Sequence, residues 1–530
     1  MKKTFIYIAL ASVLLAPACS EDHLDEVNTN PNAANASQFN PNFLLTDAQL
    51  SFSNTGYAQL LYQATGIQAL ASTYNYYGNG DKYVNAGNFT DYQGRIFNDG
   101  YTALSRLQQA ELIANTQDPT RFKNVIAISN IMRVLIFQRI TDTYGDVPYT
   151  EALKAAEGIT APKYDKQQAI YSDLLPKLEA AINSLDAAAP KATGDILYAG
   201  DVAQWKKFGY SLMVRLAMRL TKVDPATAQS WTEKAAAGGT LASYTDNALV
   251  KTDAANGDTQ NSTTGALLTP DDFREVRWSK TLIDFLRAQN DPRLGVIGEI
   301  PQPGAVNNAN QSLTGNTSAA VQVGMPNGYD LSGGAFDIRK HPQYPGGTGT
   351  GTDMAPLGNY SRPRVNVYMK RNAPNFILTY AQTEFLLAEA ASRGWNVGAS
   401  AAQHFANGLR GALQSLSQID AAAAIDEASL AAYVTANPLS PANPQKQINE
   451  QYWAETATTF NFIEGWFNWR RSGYPELVPV NYPGNVTNAT IPRRMIYPAS
   501  EISNNPSGLQ SGIASLQGGD LLTSRVWWDK

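Results

Sequence analysis

The chain has 530 residues, a formal net charge of −5 and only 16% charged residues. A chain of this length can bury a large core, and because no basic patch stands out, nucleic acid is not expected as a partner. The composition is rich in Asn, Gly and Tyr, which suits a neutral polar ligand, since aromatic faces stack on such ligands and amides form hydrogen bonds with them.

The N-terminus has the pattern of a secretory signal peptide. Two lysines precede an apolar run, residues 5–15, that is too short to cross a bilayer. Cleavage after Ala-Pro-Ala at 16–18 would either release a soluble protein with a free thiol or leave Cys19 as an acylated first residue. Cys19 is the only cysteine and directly follows the apolar run, which favours the lipoprotein. We predict a signal peptide over residues 1–18 and a lipidated, extended tether over 19–40.

Apolar residues at helical spacing predict paired helices over residues 41–240. The predicted helices cover 41 to about 71, 104–112, 125–137, 164–185, 205–220 and 224–238. The third of these is apolar nearly all round, which indicates a central position. Each pair can bury its apolar face only against a neighbouring pair, so their recurrence predicts an α-solenoid of tetratricopeptide-like helix pairs.

Residues 72–94 break the helical period with Gly and Asn, and they read as a long aromatic loop. Binding residues are often carried on loops that a rigid scaffold positions. The alternative for each aromatic residue is packing beneath the loop. The candidate ligand contacts in this loop are Tyr74, Asn75, Tyr76, Tyr77 and Asp81.

Residues 241–374 differ from the predicted helical regions in composition, because they are rich in Gly, Asn, Pro, Thr and Ser. Apart from one helix near Ser279–Ala288, we predict ordered loops laid over the helices, since a loop region of this length in a compact protein is usually functional or disordered. The segment Asp253–Asp258 lacks the ligand spacing of an EF-hand, so we interpret it as a turn. The candidate ligand contacts here are Trp278, Tyr329, Tyr344 and Arg362.

Helical spacing returns over residues 375–475. One helix is predicted to end at Gly394, as glycine suits a left-handed C-terminal position. The aromatic residues between Tyr452 and Trp469 exceed what a solvated helix could expose, so that helix is expected to be buried. We therefore assign Trp395, Trp453, Trp466 and Trp469 to the scaffold. Residues 478–530 are predicted as loops with a short strand or two around 494–497.

The sequence contains none of the common catalytic or metal-binding motifs. The three histidines, His23, His341 and His404, are far apart along the chain. Glu384 and Glu389 lie five residues apart on one predicted helix, so they point to different faces. We expect them to pair with arginines such as Arg393, Arg470 or Arg471 and to fix helix packing. No catalytic residue, cofactor or metal site is predicted.

Several short strings, spread over nearly the whole chain, together resemble SusD/RagB-type outer-membrane nutrient-binding lipoproteins, in the starch-binding SusD-like branch. The strings are YGDVPY at 144–149, FLLAEAA at 385–391 with RGW at 393–395, EGW at 464–466 with WRRSGYP at 469–475, IPRRMIYP at 491–498 and RVWWDK at 525–530. Each string is weak alone. Ser20-Glu21-Asp22 also resembles the export tag of surface lipoproteins, although it could be a solvated acidic tether.

The resemblance implies a mostly α, SusD-like solenoid with long irregular loops and a few short strands. It implies one globular domain over 41–530, with the helical scaffold at about 41–240 and 375–475 and a ligand-side insertion at 241–374. The expected function is capture of an oligosaccharide for a SusC-like TonB-dependent transporter, by a lipid-anchored outer-membrane protein exposed at the cell surface. A peptide cargo, a glycan-cleaving enzyme and an interaction module without a small ligand remain alternatives.

Overall fold

The computed structural model describes residues 39–74, 80–84, 89–255, 257–346 and 359–530. Cys19, Asn75, Tyr76 and Tyr77 lie outside these residues. Helices form in each of the regions predicted for the N-terminal half, but the first does not extend to residue 71, because it ends at Ser53 and residues 70–72 form a strand. The second begins within the segment predicted as loop. The helices of this half are α1 (Pro41–Ser53), α2 (Phe89–Gln117), α3 (Lys123–Tyr144), α4 (Gln167–Ser184), α5 (Val202–Arg219) and α6 (Pro225–Gly238). Between α1 and α2, a π-helical segment, Gln59–Gln63, continues into Ala64–Gly66.

Capping side chains determine where several of these helices begin. The Asn40 side chain accepts a hydrogen bond from the amide of Asn42, and Pro41 occupies the first turn of α1. Asp224 accepts from Thr227 N at 3.1 Å, directly before Pro225. Such side chains satisfy amide groups that have no partner within the helix, and proline at the first position has no amide to satisfy.

The insertion contains more helix than its composition predicts. The one expected helix is confirmed as α9. Around it lie short helices, which the Gly-rich and Asn-rich sequence obscured because they are each about one turn long. The helices of this region are α7 (Ser262–Leu267), α8 (Pro270–Glu275), α9 (Lys280–Ala288), α10 (Leu294–Ile297), α11 (Ala305–Ala309) and α12 (Val365–Tyr368).

The C-terminal part returns to longer helices. They are α13 (Tyr380–Ser392), α14 (Ala401–Ile419), α15 (Glu427–Ala436), α16 (Pro444–Thr458) and α17 (Phe462–Ser472), followed by the short α18 (Glu501–Asn504) and α19 (Pro506–Ala514). Helix α13 packs against α14 and α16, and α16 packs against α17. Gly394 follows α13 with a φ of +84°, as predicted. Trp395 lies just beyond that helix and is half-buried.

The strands are short and form antiparallel pairs. The strands are β1 (Leu70–Ser72), β2 (Val147–Pro148), β3 (Tyr164–Asp165), β4 (Ala248–Val250), β5 (Val276–Trp278), β6 (Gly298–Glu299), β7 (Arg362–Pro363) and β8 (Asn375–Leu378). The pairs are β1 with β5, β2 with β3, β4 with β8, and β6 with β7. Two of them, β1 with β5 and β4 with β8, attach the insertion to the helical regions. In the first pair, Leu70 stands opposite Trp278, so the end of the first helical region is joined to the insertion.

The strand predicted around residues 494–497 does not form. This segment is irregular because its polar groups bond to a helix end instead of a neighbouring strand. The amide of Met495 donates to Thr143 O at 3.1 Å. The guanidinium of Arg494 donates to Tyr144 O at 3.0 Å. The segment therefore donates hydrogen bonds to carbonyl groups at the C-terminal end of α3.

Apolar side chains from the whole length of the described chain form one large buried cluster. Trp205 of α5, Trp278 of β5, Trp453 of α16 and Trp528 near the C-terminus all belong to it. The predicted burial of Trp453, Trp466 and Trp469 is confirmed. Within the part of the chain that is described, no helix combines the length and apolar character needed to cross a membrane.

Charged side chains also lie within this core, and several of them form ion pairs. Glu389 of α13 accepts from Arg471 of α17 at 2.6 and 2.8 Å, from Arg393 at 2.7 Å and from Asn449 of α16 at 3.0 Å. Although burial opposes ionisation, Arg471 and Arg393 hold the pKa of Glu389 well below its usual range. The expected arginine pairing is thus confirmed for Glu389. Glu384 instead lies 2.9 Å from Nδ1 of His404.

We expect Glu389→Gln to lower the free energy of unfolding by about 3–5 kcal/mol, because it leaves the Arg471 charge buried without its carboxylate. Denaturant titration of the purified protein measures this loss. The matched control is Glu427→Gln, since Glu427 pairs with Arg410 at the surface and its loss should cost less than about 1 kcal/mol. Equal effects of the two substitutions would contradict the role given to Glu389.

Candidate functional site

Tyrosine rings of the insertion stand over a small hydrophobic cluster that is separate from the main core. The cluster consists of Ala71, Met325, Ile338 and Tyr360, and Tyr329 and Tyr344 pack against it. Both of these tyrosines are half-buried. The Tyr329 ring lies edge-to-face with His341 at a centroid distance of 5.2 Å. The apolar support beneath holds these rings in place while part of each remains accessible.

A groove of about 390 Å³ opens beside Tyr329. One wall is formed by the start of α9, a second by residues 326–329 and Phe336, and the third by residues 478–481. Its polar lining consists of Gln68, Lys280, Thr281, Asp284, Asn327 and Asn481, and its apolar lining includes Tyr329, Phe336, Val478 and Val480. Lys280 and Asp284 form an ion pair with each other. The groove therefore offers aromatic and aliphatic surface beside uncharged amides.

Buried polar contacts fix the segments that frame the groove. The Asp81 carboxylate accepts from Gly328 N at 3.2 Å. The neighbouring Lys82 ammonium donates to Ser72 O at 2.8 Å and lies 5.8 Å from the ring centroid of Tyr482. Tyr482 in turn donates to Asp330 at 2.5 Å. Residues from three distant parts of the chain are thereby held together at the base of the groove.

Among the titratable groups beside the tyrosines, His341 and Asp330 have shifted pKa values. Burial, together with the charge of Lys280, lowers the pKa of His341, so the imidazole is neutral at neutral pH. Burial opposes ionisation of Asp330, but hydrogen bonds from Tyr482 and Ser332 outweigh it and lower the pKa of that carboxyl. His341 thus presents an uncharged ring, and the Asp330 carboxylate is occupied in holding Tyr482.

Two predicted ligand contacts prove to be scaffold residues. Trp278 is 0% exposed, its indole N–H donates to Ile297 O at 3.0 Å, and its ring packs against Tyr368 and Phe460. Arg362 is also 0% exposed and pairs with Glu299 at 2.8 Å. The predictions for these residues are wrong because each lies in a short strand, β5 or β7, that faces the core.

The remaining predicted contacts divide into four groups. Asp81 is buried, so it positions Gly328 and does not present its carboxylate to the groove. Tyr329 lines the groove, and Tyr344 lies next to the same hydrophobic cluster. Tyr74 is half-buried against the main core. Asn75, Tyr76 and Tyr77 fall outside the described residues, as does the lipidation site Cys19.

The sequence reasoning missed residues 478–481 and Phe336. Residues 478–483 have the sequence Val-Pro-Val-Asn-Tyr-Pro and lie six residues beyond the end of α17 at Ser472. Two valines and two prolines in so short an extended stretch favour an exposed apolar edge, and Val478 is 78% exposed. This composition indicates an exposed apolar segment, but no nearby residue indicates that the segment faces α9.

A larger concavity, of about 620 Å³, lies between α2, α3 and α4. Its two aromatic residues offer little ring surface. Phe137 is buried, and the ammonium of Lys177 lies 5.1 Å from the ring centroid of Tyr149. Because a ring that is already covered cannot stack on a ligand, the smaller groove beside Tyr329 is the better candidate site.

The groove has no metal-binding character. Across the described residues, no group of three or more His, Cys, Asp or Glu side chains is placed to hold a metal ion. In the segment predicted as a turn, the Asp253 carboxylate accepts from Ala255 N at 2.9 Å, which is the local bonding of a turn. What the groove can do chemically is stack, form hydrogen bonds and exclude water.

Comparisons with known proteins agree with the fold. A family model described as SusD-like, "Starch-binding associating with outer membrane", matches residues 31–498. A solved chitin-binding protein is 30% identical, with a TM-score of 0.76 over 93% of this chain and 100% of its own. A Bacteroidetes AC2a SusD-like structure is 25% identical, with a TM-score of 0.78 over 93% and 100%. A SusD homolog from Bacteroides uniformis, at 23% identity and a TM-score of 0.71 over 94% and 100%, shares the fold. The curated proteins gave no match.

We expect Asp81→Ala to loosen the base of the groove, because Gly328 N loses its acceptor and Lys82 loses its neighbouring carboxylate. Amide hydrogen exchange over residues 326–331 should become about tenfold faster, which corresponds to a loss of roughly 1.4 kcal/mol of local stability. Asp47→Ala is the control, since Asp47 lies at the surface of α1. Unchanged exchange in Asp81→Ala would show that this contact does not hold the groove.

Proposed function

This chain belongs to the SusD-like family of starch-binding proteins associating with the outer membrane, and on that premise we propose that it captures an oligosaccharide at the cell surface. The observation that supports this most directly is the groove beside Tyr329. There, aromatic and aliphatic side chains stand next to the uncharged amides of Asn327 and Asn481. A sugar ring has an apolar face and a rim of hydroxyl groups, so it needs this combination of stacking surface and hydrogen-bonding groups.

The first cargo to test is an oligomer of N-acetylglucosamine. The solved protein that is 30% identical is named as chitin-binding. An acetamide group has a carbonyl acceptor, an N–H donor and a methyl group. The side-chain amides of Asn327 and Asn481 can serve its polar atoms, and the neighbouring Val478 and Val480 can cover its methyl. Starch oligosaccharides have no acetamide, and comparing the two sugars separates general ring stacking from acetamide recognition.

The groove favours binding over catalysis. Glycosidases of the common type use two carboxylates placed across the scissile bond. Among the residues that line the groove, the only carboxylate is that of Asp284, and it is engaged by Lys280. We therefore propose that the cargo leaves unchanged. Hydrolysis of oligosaccharides by the purified protein, abolished by Asp284→Asn, would instead support the alternative of a glycan-cleaving enzyme.

The captured oligosaccharide is proposed to pass to a SusC-like TonB-dependent transporter in the outer membrane. Few stacking and polar contacts give modest affinity, because association must first offset the lost freedom of both partners. Modest affinity suits a carrier that must release its cargo inward. The sequence pattern at Cys19 supports lipid anchoring of the protein at this membrane, since acyl chains on the first residue would hold it there.

We expect Tyr329→Ala to weaken binding of chitin oligosaccharides about tenfold, which corresponds to roughly 1.4 kcal/mol of lost stacking. Isothermal titration with the purified protein measures the change, and thermal unfolding should be nearly unaffected because Tyr329 is half-buried. Tyr244→Ala is the control, since Tyr244 lies between α6 and β4, away from the groove. We expect Tyr76→Ala and Tyr77→Ala also to weaken binding of the cargo while thermal unfolding stays nearly unchanged. Retained binding in folded Tyr329→Ala would exclude this groove, and binding of peptides in place of sugars would indicate a peptide cargo.

We expect Cys19→Ala to abolish incorporation of labelled palmitate and to release the protein from the membrane fraction, because the acyl chains have no other site of attachment. Detergent extracts of cells with the unaltered protein should also yield a TonB-dependent barrel that copurifies with it. Cell fractionation and affinity purification test both outcomes together. An unmodified protein that fractionates as soluble and never brings down a barrel would contradict the proposal.

A further inference from the structure

Tyr360 lies in the small hydrophobic cluster that supports Tyr329 and Tyr344. Its side chain is 1% exposed, and its hydroxyl group is shielded from solvent without a hydrogen-bond partner among the described residues. A buried hydroxyl without a partner is unfavourable, because it gives up its hydrogen bonds to water and gains none in the protein. Such a group in a folded protein requires an explanation.

Other buried tyrosines in the described part of the chain do form hydrogen bonds through their hydroxyl groups. Tyr368 of α12 donates to Thr458 O at 2.8 Å, and Tyr452 of α16 donates to Glu464 at 2.6 Å. The same use of the hydroxyl is seen in Tyr83, Tyr144, Tyr164, Tyr171, Tyr433 and Tyr497. The fold thus provides partners for these phenol groups of its core, whereas it provides none for the hydroxyl of Tyr360.

Hydrogen bonds of the next residue fix the backbone at Tyr360. The amide of Ser361 donates to Val323 O at 2.8 Å, and Ser361 O accepts from Trp278 N at 2.9 Å. The Ser361 hydroxyl donates to Gln322 Oε1 and accepts from Val323 N, each at 2.8 Å. The backbone at Tyr360 is therefore held between β5 and the segment that contains Gln322, so the unpartnered hydroxyl belongs to a firmly held residue.

Tyr360 lies directly behind the accessible tyrosines of the candidate site. Its ring centroid is 6.2 Å from that of Tyr344, which is half-buried. Burial raises the pKa of Tyr360, and the nearby phenol groups of Tyr344 and Tyr329 raise it further. The three phenol groups are thus close to one another, and Tyr329 lines the groove. The hydroxyl of Tyr360 stays un-ionised at neutral pH, so it can act as a hydrogen-bond donor there.

A sugar offers the kind of atom that this donor lacks. A phenol hydroxyl donates one hydrogen bond, and the rim of a sugar ring carries hydroxyl oxygens, to which N-acetylglucosamine adds an acetamide carbonyl. A site with a buried polar group discriminates strongly against ligands that leave this group unpaired. A buried donor behind a sugar groove is therefore suited to select ligands that present an oxygen to it.

We propose that the hydroxyl of Tyr360 donates a hydrogen bond to an oxygen of the bound sugar, once the ring of Tyr344 turns aside to admit it. The assignment rests on the proposed function, because it places Tyr360 in the same oligosaccharide site as Tyr329. Without sugar, the ring of Tyr344 covers the hydroxyl, and the protein contains an unsatisfied donor. With sugar, the donor gains its acceptor, so a group that destabilises the free protein contributes to binding.

The test is Tyr360→Phe, which removes the hydroxyl and keeps the ring. Isothermal titration with chitin oligosaccharides should show binding that is about tenfold weaker than in the unaltered protein. Thermal unfolding without sugar should give an unchanged or higher Tm, because the substitution removes a buried hydroxyl that has no partner. A tyrosine whose hydroxyl served only the fold would give the opposite pattern.

The matched control is Tyr368→Phe, in which the lost hydroxyl has a partner within the protein. This substitution should lower Tm by about 1–2 °C and leave the sugar affinity unchanged. Full sugar affinity in Tyr360→Phe, in the same titrations in which Tyr329→Ala loses binding, would overturn the role of Tyr360 and leave the groove in place. Absence of binding to the unaltered protein would instead overturn the proposed function, and the assignment of Tyr360 with it.

A crystal structure of the unaltered protein soaked with chitin oligosaccharides gives an independent answer, even if Tyr360→Phe does not fold. The Tyr360 hydroxyl should lie within about 3 Å of a sugar oxygen, with the Tyr344 ring displaced from its position in the free protein. Sugar bound in the groove beside Tyr329, with the Tyr360 hydroxyl still covered, would contradict the assignment.

Discussion

The arrangement of the helices depends on a network of buried charges where α3, α5 and α17 meet. Glu464 accepts from Arg219 and from the hydroxyl of Tyr452, each at 2.6 Å. Asp142 accepts from Tyr171 at 2.6 Å and from the indole of Trp528 at 2.7 Å. A buried charge without its partner is strongly destabilising, so other arrangements of these helices would leave arginines or carboxylates unpaired. We infer that the network selects one register among many that would bury similar apolar surface.

This rigid interior explains how loops can form a defined groove. The β1–β5 pair attaches the insertion to the first helical region, and the Asp81–Gly328 and Tyr482–Asp330 contacts join three chain segments at its base. None of these contacts involves a regular helix. Their geometry is nevertheless fixed, because each segment is connected to a helix or strand that is held in place by the core. The core therefore positions the loops, and the loops provide the surface that a ligand would contact.

Helix formation and family membership could be predicted from the sequence because both leave local signals. The apolar spacing of α3 and α5, the Asp224-Pro225 helix start and the glycine after α13 depend on residues within a few positions of one another. The motifs between residues 144 and 530 are likewise short strings, and the family model that covers residues 31–498 agrees with them. The pairing of Glu389 with Arg471 could also be anticipated, since a carboxylate and a guanidinium on two apolar helices require each other.

The groove could not be predicted, because its residues come from three segments that meet only through long-range packing. Tyr329 and Trp278 look alike in sequence, since both are aromatic residues of the insertion. The pairing of β1 with β5 places Trp278 in the core. The packing of the insertion against distant segments leaves Tyr329 beside a groove. The sequence by itself determined most of the longer helices, their apolar faces and the family. The tertiary structure decided which loop side chains remain accessible, because exposure depends on what distant segments cover.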